Sequence, residues 1–175
     1  MAEQLMETMV RSALWQQFSA AIDMMENALL ACPETLWQEH LWIDAQSADD
    51  GAFWEITYHT LGCLERFLTG CSLEALPVFK KGSDGVIPRD ELHPYLVQLR
   101  QMCQTTLAAL SDEKAHQPYT FPWPGGATVS YFELLLYTLR HVQEHAAQLS
   151  LFLGQHAIPG EALHWVLRAK EESDL

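Results

Sequence analysis

Hydrophobic residues recur every three or four positions along four segments of the chain, which is the spacing of one face of an α-helix. The first such face covers residues 10–29, and Pro33 ends it because a proline disfavours helical geometry in the residue before it. The second face covers residues 52–67, and Gly70 supplies the glycine that commonly follows a helix. The pattern therefore predicts two amphipathic helices in this first part of the chain.

The third hydrophobic face covers residues 92–110. Pro88 and Pro94 are each compatible with a first turn, where the missing N–H of proline has no intrahelical partner to lose. The start of this helix therefore stays open between them. A shorter helix is expected near the C-terminus, in the residues that follow Gly160.

The fourth hydrophobic face covers residues 130–153. Ser130 and Glu133 have the spacing of a capping box, in which the hydroxyl and the carboxylate accept hydrogen bonds from backbone N–H groups of the first turn. Gly154 is expected to close the helix. This segment predicts the best-delimited helix of the chain.

No segment shows the period-two alternation that predicts a strand, and Asp84-Gly85 lacks the alternating flanks of a hairpin. The chain is therefore predicted to be all-α. Four amphipathic helices bury their apolar faces most simply as a four-helix bundle. At 175 residues, the whole chain from 1 to 175 is expected to form a single domain.

Three connections between the predicted helices, residues 32–51, 71–88 and 111–129, are longer than a simple bundle needs. They are long enough to cross over the bundle or to build a mouth at one end of it. The stretch 119–126 is rich in aromatic residues, proline and glycine, which favours an ordered loop. It is interpreted either as a hydrophobic lid over the core or as a wall that contacts a substrate.

The charge balance narrows the classes of partner. Ten Lys and Arg residues face 23 Asp and Glu residues, for a net charge of −13. This charge argues against a nucleic-acid duplex, since affinity for phosphates rests on basic residues, and against an anionic membrane surface. The N-terminal residues lack the basic and apolar regions of a signal peptide, and no apolar run approaches the length of a membrane span. A cytoplasmic location is the expectation.

The cysteines are too few for a disulfide scaffold and include no C-x-x-C pair. They are interpreted as small buried hydrophobic residues. The four positions are Cys32, Cys63, Cys71 and Cys103.

Among eight histidines, His141 and His145 lie four residues apart on the fourth helix, a spacing that lets two imidazoles reach one metal ion. This pair alone is weak evidence for a metal. His59 strengthens it, because it lies on the apolar face of the second helix, where a buried histidine needs a partner. A metal shared by facing helices would supply that partner.

Three neutral histidines would leave coordination positions open, whereas a closed structural zinc site uses four protein ligands. The open positions suit a water, a thiolate or a substrate oxygen. Gln148, one turn beyond His145, is expected either to orient a ligand or to face solvent, and Glu144 is expected to point outward. The other histidines are interpreted as surface or half-buried residues: His40, His93, His116, His156 and His164.

Residues 141–145 also match H-x-x-E-H, the signature of a class of zinc proteases. Those enzymes need a further glutamate far downstream, and only 30 residues follow His145. The match is therefore interpreted as coincidence.

Taken together, His59 in the second helix and H-x-x-x-H-x-x-Q-L from His141 to Leu149 in the fourth resemble the DinB/YfiT-like superfamily. The resemblance implies a four-helix bundle of up-down-down-up topology, often a homodimer. It also implies a divalent metal, commonly nickel or zinc, on a triad that maps to His59, His141 and His145. The first loop, with Trp37 and Trp42, and the C-terminal extension depart from an average member.

Characterised relatives include S-transferases and isomerases that use a low-molecular-weight thiol. The resemblance therefore implies a metalloenzyme that activates a small thiol for attack on a small-molecule substrate, although no residue can be named as acid or base. Two other hypotheses stay open: a hydrolase that uses a metal-bound water, and a non-catalytic dimeric protein of metal binding or stress response.

Overall fold

The computed structural model has a long helix at each of the four segments where hydrophobic residues recur. It describes residues 2–42, 51–70, 79, 82, 85–121, 123–160 and 166, with side chains from residue 8 onward. The long helices are α1 (Ala2–Ala31), α2 (Phe53–Thr69), α3 (Arg89–Ala108) and α5 (Tyr131–Gln155). The shorter elements are a 3-10 turn (Glu34–Leu36), α4 (Asp112–His116), β1 (Pro118–Thr120) and β2 (Thr128–Ser130). The described residues are mostly helical, in broad agreement with the all-α prediction.

The expectation of no strands is wrong at one place. β1 and β2 form a small antiparallel hairpin in which Tyr119 pairs with Val129, and the hydroxyls of Thr120 and Thr128 lie 2.8 Å apart. Each strand has three residues, too few for a period-two pattern to stand out. The hairpin orders the aromatic loop between α4 and α5.

The helix ends follow local signals at most positions. α1 ends before Pro33, and Gly70 follows α2 in the left-handed conformation with φ 65°. Pro88 caps α3 and Pro94 lies inside it, which settles the start of that helix at Arg89. The predicted helix after Gly160 lies outside the described residues, apart from the single position Val166.

The start of α5 follows its sequence signal, whereas its end does not. The Ser130 hydroxyl accepts a hydrogen bond from the Glu133 amide at 3.1 Å, the serine half of the expected capping box. Gly154, however, does not close the helix, which continues to Gln155. Ala157 instead takes the left-handed conformation, with φ 60°, and the Ile158 amide donates back to the Leu153 carbonyl. This is the Schellman arrangement with alanine at the position that glycine usually fills.

α1 and α3 run antiparallel. Near one end of the pair, Arg11 on α1 donates to the Ala108 carbonyl at 3.2 Å. Near the other end, Arg89 on α3 donates to the Cys32 carbonyl that follows α1. α1 also packs against α5.

α2 and α5 also run antiparallel. The Tyr131 hydroxyl at the start of α5 donates to the Leu68 carbonyl near the end of α2 at 2.7 Å. The rings of Phe53 and Phe152 meet at the opposite ends of these helices, with centroids 6.2 Å apart. This pairing determines which residues of the two helices face each other.

The hydrophobic core receives side chains from all four long helices: Phe18, Leu64, Leu96 and Leu149 are each at most 1% exposed. Trp37 in the first connection is also buried, and its indole N–H donates to the Ile87 carbonyl at 3.0 Å. Among the described residues, no helix combines the length and apolar character that crossing a membrane requires.

Candidate metal centre

Antiparallel packing of α2 against α5 brings the three predicted histidines together. The Nε2 atom of His141 lies 3.3 Å from Nε2 of His59 and 3.2 Å from Nε2 of His145. The rings of His59 and His145 meet edge to face, with centroids 5.3 Å apart. One nitrogen of His141 therefore lies within 3.3 Å of an imidazole nitrogen from each helix.

These separations can be compared with what a metal ion requires. Two nitrogens bound at about 2.0–2.1 Å to one tetrahedral ion lie about 3.3–3.4 Å from each other. The two separations at His141 match this value closely. At His141 these two separations fit a divalent ion. The group whose donor atoms all lie within 4.8 Å of one another joins His59 and His141 with Cys63 and does not include His145.

Gln148 fixes the orientation of His145. Its Oε1 lies 2.7 Å from Nδ1 of His145, so the Nδ1–H group donates to the amide oxygen. The Nε2 lone pair of His145 then points toward His141, as a metal ligand needs. Of the two expectations for Gln148, the contact supports the orienting role. Glu144 is exposed, as expected.

His141 lies deeper than His59. Burial, followed by the nearby imidazoles of His145 and His59, lowers the pKa of His141 to about 4. Its Nδ1 is buried and has no hydrogen-bond partner among the described residues. His141 is therefore neutral at physiological pH, which is the form that binds metals.

The interpretation of His59 as a buried residue is wrong. His59 is exposed. Its ring still lies against the other two histidines, and the loss of hydration there, together with the charges of His145 and Arg66, lowers its pKa. His59 thus places one side of the cluster within reach of solvent.

Cys63 is the site residue that the sequence interpretation missed. It lies one turn after His59 on α2, with Sγ 3.8 Å from the Nε2 atom of His59. One donor atom each from His59, Cys63 and His141 lie within 4.8 Å of one another, a group that could hold a metal ion. The four-residue spacing of His59 and Cys63 is the same signal that singled out His141 and His145.

The other cysteines and histidines lie elsewhere. Cys32 and Cys103 are buried, as interpreted, while Cys71 and His164 fall outside the described residues. His93 is half-buried, with Nε2 2.8 Å from a Glu26 oxygen. The remaining three histidines are exposed: His40, His116 and His156.

The aromatic loop between α4 and α5 reaches the histidine cluster through Tyr137. Phe121 is buried against Phe67 and Tyr137, and the exposed Trp123 stacks on it at 4.5 Å between centroids. Tyr137 also stacks on His141. Between the loop and α5 lies an open cleft of about 370 Å³, lined by Phe121, Val129, Glu133, Leu136, Tyr137 and Arg140. Phe121 belongs to the hydrophobic core and also lines the cleft, and Tyr137 belongs to both the cleft and the surroundings of the histidines.

Comparison with known proteins identifies the family of the chain. No curated protein matches the sequence. A family model of the DinB superfamily matches residues 14–149, which include His59, His141 and His145 and run from within α1 into α5. The match covers well over half of the chain, and the chain therefore belongs to the DinB superfamily.

Proposed function

We propose that this protein binds a divalent metal ion on His59, His141 and His145 and uses it to activate a small thiol, in chemistry of the S-transferase type. The observation that carries the proposal is the convergence of imidazole nitrogens from two helices, at 3.2 and 3.3 Å from Nε2 of His141. Membership in the DinB superfamily, which is metal-associated, supports the same assignment. Nickel and zinc are the proposed ions, since imidazole ligands suit both.

A bound ion would supply positive charge that favours the thiolate form of a thiol ligand. The chain's own residues would prepare this site in three ways. Gln148 holds the His145 ring in its donor orientation. The low pKa of His141 keeps its lone pair available at neutral pH. The exposed position of His59 leaves an entrance for a small molecule.

Metal analysis of protein expressed without a histidine tag tests the binding part of the proposal. We expect close to one divalent ion per chain in the wild type and loss of that ion in His59→Ala, His141→Ala and His145→Ala. The matched control is His116→Ala, since His116 is an exposed histidine whose Nδ1 contacts the Asp112 carbonyl instead of the cluster. Equal metal content in all five proteins would refute the site.

Thiol chemistry is tested separately by turnover. The metal-loaded protein should conjugate a small thiol such as glutathione or bacillithiol to monochlorobimane, and His141→Ala should not. Bound metal without turnover for any of the thiols would refute the S-transferase assignment and leave the metal site intact.

The position of Cys63 favours a second candidate function, a non-catalytic protein that holds a metal ion. A sulfur donor beside three histidines would complete four protein ligands, the number found in closed structural sites. Very slow metal exchange, together with no thiol or ester turnover, would favour this second candidate.

We also propose that the four long helices form an up-down-down-up bundle. The contacts of Arg89 with Cys32, of Trp37 with Phe53 and of Phe53 with Phe152 support it. They gather the end of α1, the starts of α2 and α3 and the end of α5 on one side of the molecule. An experimental structure would test this arrangement directly.

A homodimer, a cytoplasmic location and a single domain over residues 1–175 remain predictions from the sequence. Light scattering coupled to size-exclusion chromatography tests the first, with twice the chain mass of 19.9 kDa as the expected result. Limited proteolysis tests the third, since a single domain should yield no stable internal fragments.

A further inference from the structure

We propose that Cys63 is a fourth metal ligand, so that the resting centre has three histidines and one thiolate. This inference rests on the proposed three-histidine site and states what occupies one of its open positions. An incoming thiol or water would then have to displace Cys63 before it could reach the ion. The protein would thus control access to its metal with a side chain of its own.

The candidate donors are arranged in pairs on the two helices. His59 and Cys63 lie one turn apart on α2, and His141 and His145 lie one turn apart on α5. Two helices that each contribute two donors at four-residue spacing surround one point from opposite sides. With histidines alone, α2 contributes one donor and the side toward Cys63 stays open.

The distance between Cys63 and His59 is close to the value that a shared ion requires. A sulfur at about 2.3 Å and a nitrogen at about 2.0–2.1 Å from one tetrahedral ion lie about 3.5–3.6 Å from each other. The Sγ atom of Cys63 lies 3.8 Å from Nε2 of His59, a few tenths of an ångström longer. A small side-chain adjustment closes this difference without movement of α2.

The other described cysteines have different surroundings from those of Cys63. Cys32 and Cys103 are both buried, and the thiol of Cys32 donates to the Pro33 carbonyl. Cys63 is half-buried, and its donor atom lies within 4.8 Å of donor atoms of both His59 and His141. Of these three, Cys63 has the surroundings of a ligand.

Binding of Cys63 to the ion exchanges the thiol proton for the metal. The S–H bond of Cys63 breaks, its proton goes to solvent, and a sulfur lone pair forms the bond to the ion, with no change of oxidation state. When a small thiol displaces Cys63, the incoming thiol loses its proton and the Cys63 sulfur regains one. Thiolate ligation also favours zinc or another thiophilic ion over magnesium or manganese.

Cobalt(II) is the probe that tests the ligand directly. Metal-free protein is titrated with cobalt chloride in the presence of a phosphine reductant and no other thiol. We expect visible d–d bands from the bound ion and, in addition, a near-ultraviolet charge-transfer band from sulfur to cobalt. Cys63→Ala should keep the d–d bands and lose the charge-transfer band, whereas the matched control Cys32→Ala should keep both.

The outcomes separate this inference from the proposed function. Bound cobalt with d–d bands but no charge-transfer band in the wild type overturns the role of Cys63 and leaves the three-histidine site standing. No cobalt binding at all overturns the proposed function, and the inference falls with it. A charge-transfer band that survives in Cys63→Ala also overturns the inference.

A second measurement on the wild type avoids dependence on how the variant folds. Metal-free protein is alkylated with iodoacetamide with or without zinc, and modification of the peptide that contains Cys63 is followed by mass spectrometry. Ligation ties up the sulfur lone pair, so zinc should slow alkylation of Cys63 at least tenfold. Equal rates with bound zinc would overturn the inference.

Discussion

Arg100 on α3 holds a cluster of polar groups on α1, and its removal should destabilise the protein strongly. Its guanidinium donates to the Ser19 hydroxyl at 2.8 Å, to the Asp23 carboxylate and to Glu26 at 3.3 Å. Ser19 and Asp23 are only 2% and 3% exposed, respectively. The perturbation to make is Arg100→Met, which keeps most of the side-chain volume and removes the charge.

The size of the effect follows from the burial of Asp23. Breaking a buried ion pair from one side costs about 3–5 kcal/mol, and here the Asp23 carboxylate loses the guanidinium of Arg100. The Arg100 side chain is 23% exposed, so water can partly replace it. We therefore expect the free energy of unfolding to fall by about 3 kcal/mol, the lower end of that range.

Urea denaturation at neutral pH, followed by far-ultraviolet circular dichroism, measures this change. Arg140→Met is the matched control, since Arg140 is exposed on α5 and its loss should cost less than about 1 kcal/mol. Replacing both partners, as in Asp23→Leu with Arg100→Met, should recover much of the loss because no buried charge is left uncompensated. A loss below about 1 kcal/mol for Arg100→Met alone would refute the reasoning.

Three further predictions concern the end of α5 and the metal site. Ala157→Gly should stabilise the protein by about 0.5–1 kcal/mol in thermal or urea unfolding, because glycine adopts the left-handed conformation at φ 60° without strain; a loss of stability would contradict this. The metal-free protein should lose stability as the pH falls from about 6.5 to about 4. The reason is that the folded chain holds the pKa of His141 near 4 and the unfolded chain binds the proton at the ordinary value of 6.5. The urea midpoint should therefore drop over this range in the wild type and drop less in His141→Ala, and equal pH dependence would contradict the assignment. Gln148→Leu should weaken metal affinity about 10–100-fold in a competition titration, since His145 loses the partner that orients it. Glu144→Ala, exposed on the same helix, should leave affinity unchanged, and equal loss in both would count against a specific role for Gln148.

Much of the helical structure was predictable because its signals are local. The hydrophobic period placed the four long helices, and Pro33, Gly70 and Ser130 marked boundaries through backbone geometry and capping. Gly154 does not end α5, because glycine tolerates the left-handed conformation of a helix end but does not require it. The chain turns three residues later, at Ala157, where the backbone hydrogen bonds of the last turn place it.

The donors of the candidate site form two pairs, and the spacing within each pair is visible in the sequence. The spacing of His141 and His145 is visible along one helix, and the spacing of His59 and Cys63 is equally visible along another. Periodicity alone does not show that these two pairs meet, and a cysteine on an apolar face is typical of a buried hydrophobic position, which hides the role of Cys63. The contact depends on α2 and α5 running antiparallel, which Tyr131 and Leu68 help to fix near one end.

The sequence by itself determined the four long helices and the histidine pair of α5, because each depends on residues within a few turns of one another. The tertiary structure alone decided that His59 is exposed beside the histidines of α5 and that Cys63 joins the cluster. Those facts depend on how two helices, distant along the chain, are packed and rotated against each other. The physical reason is that periodicity along a helix shows which residues share a face. Which residues of another helix that face contacts is determined by how the two helices pack.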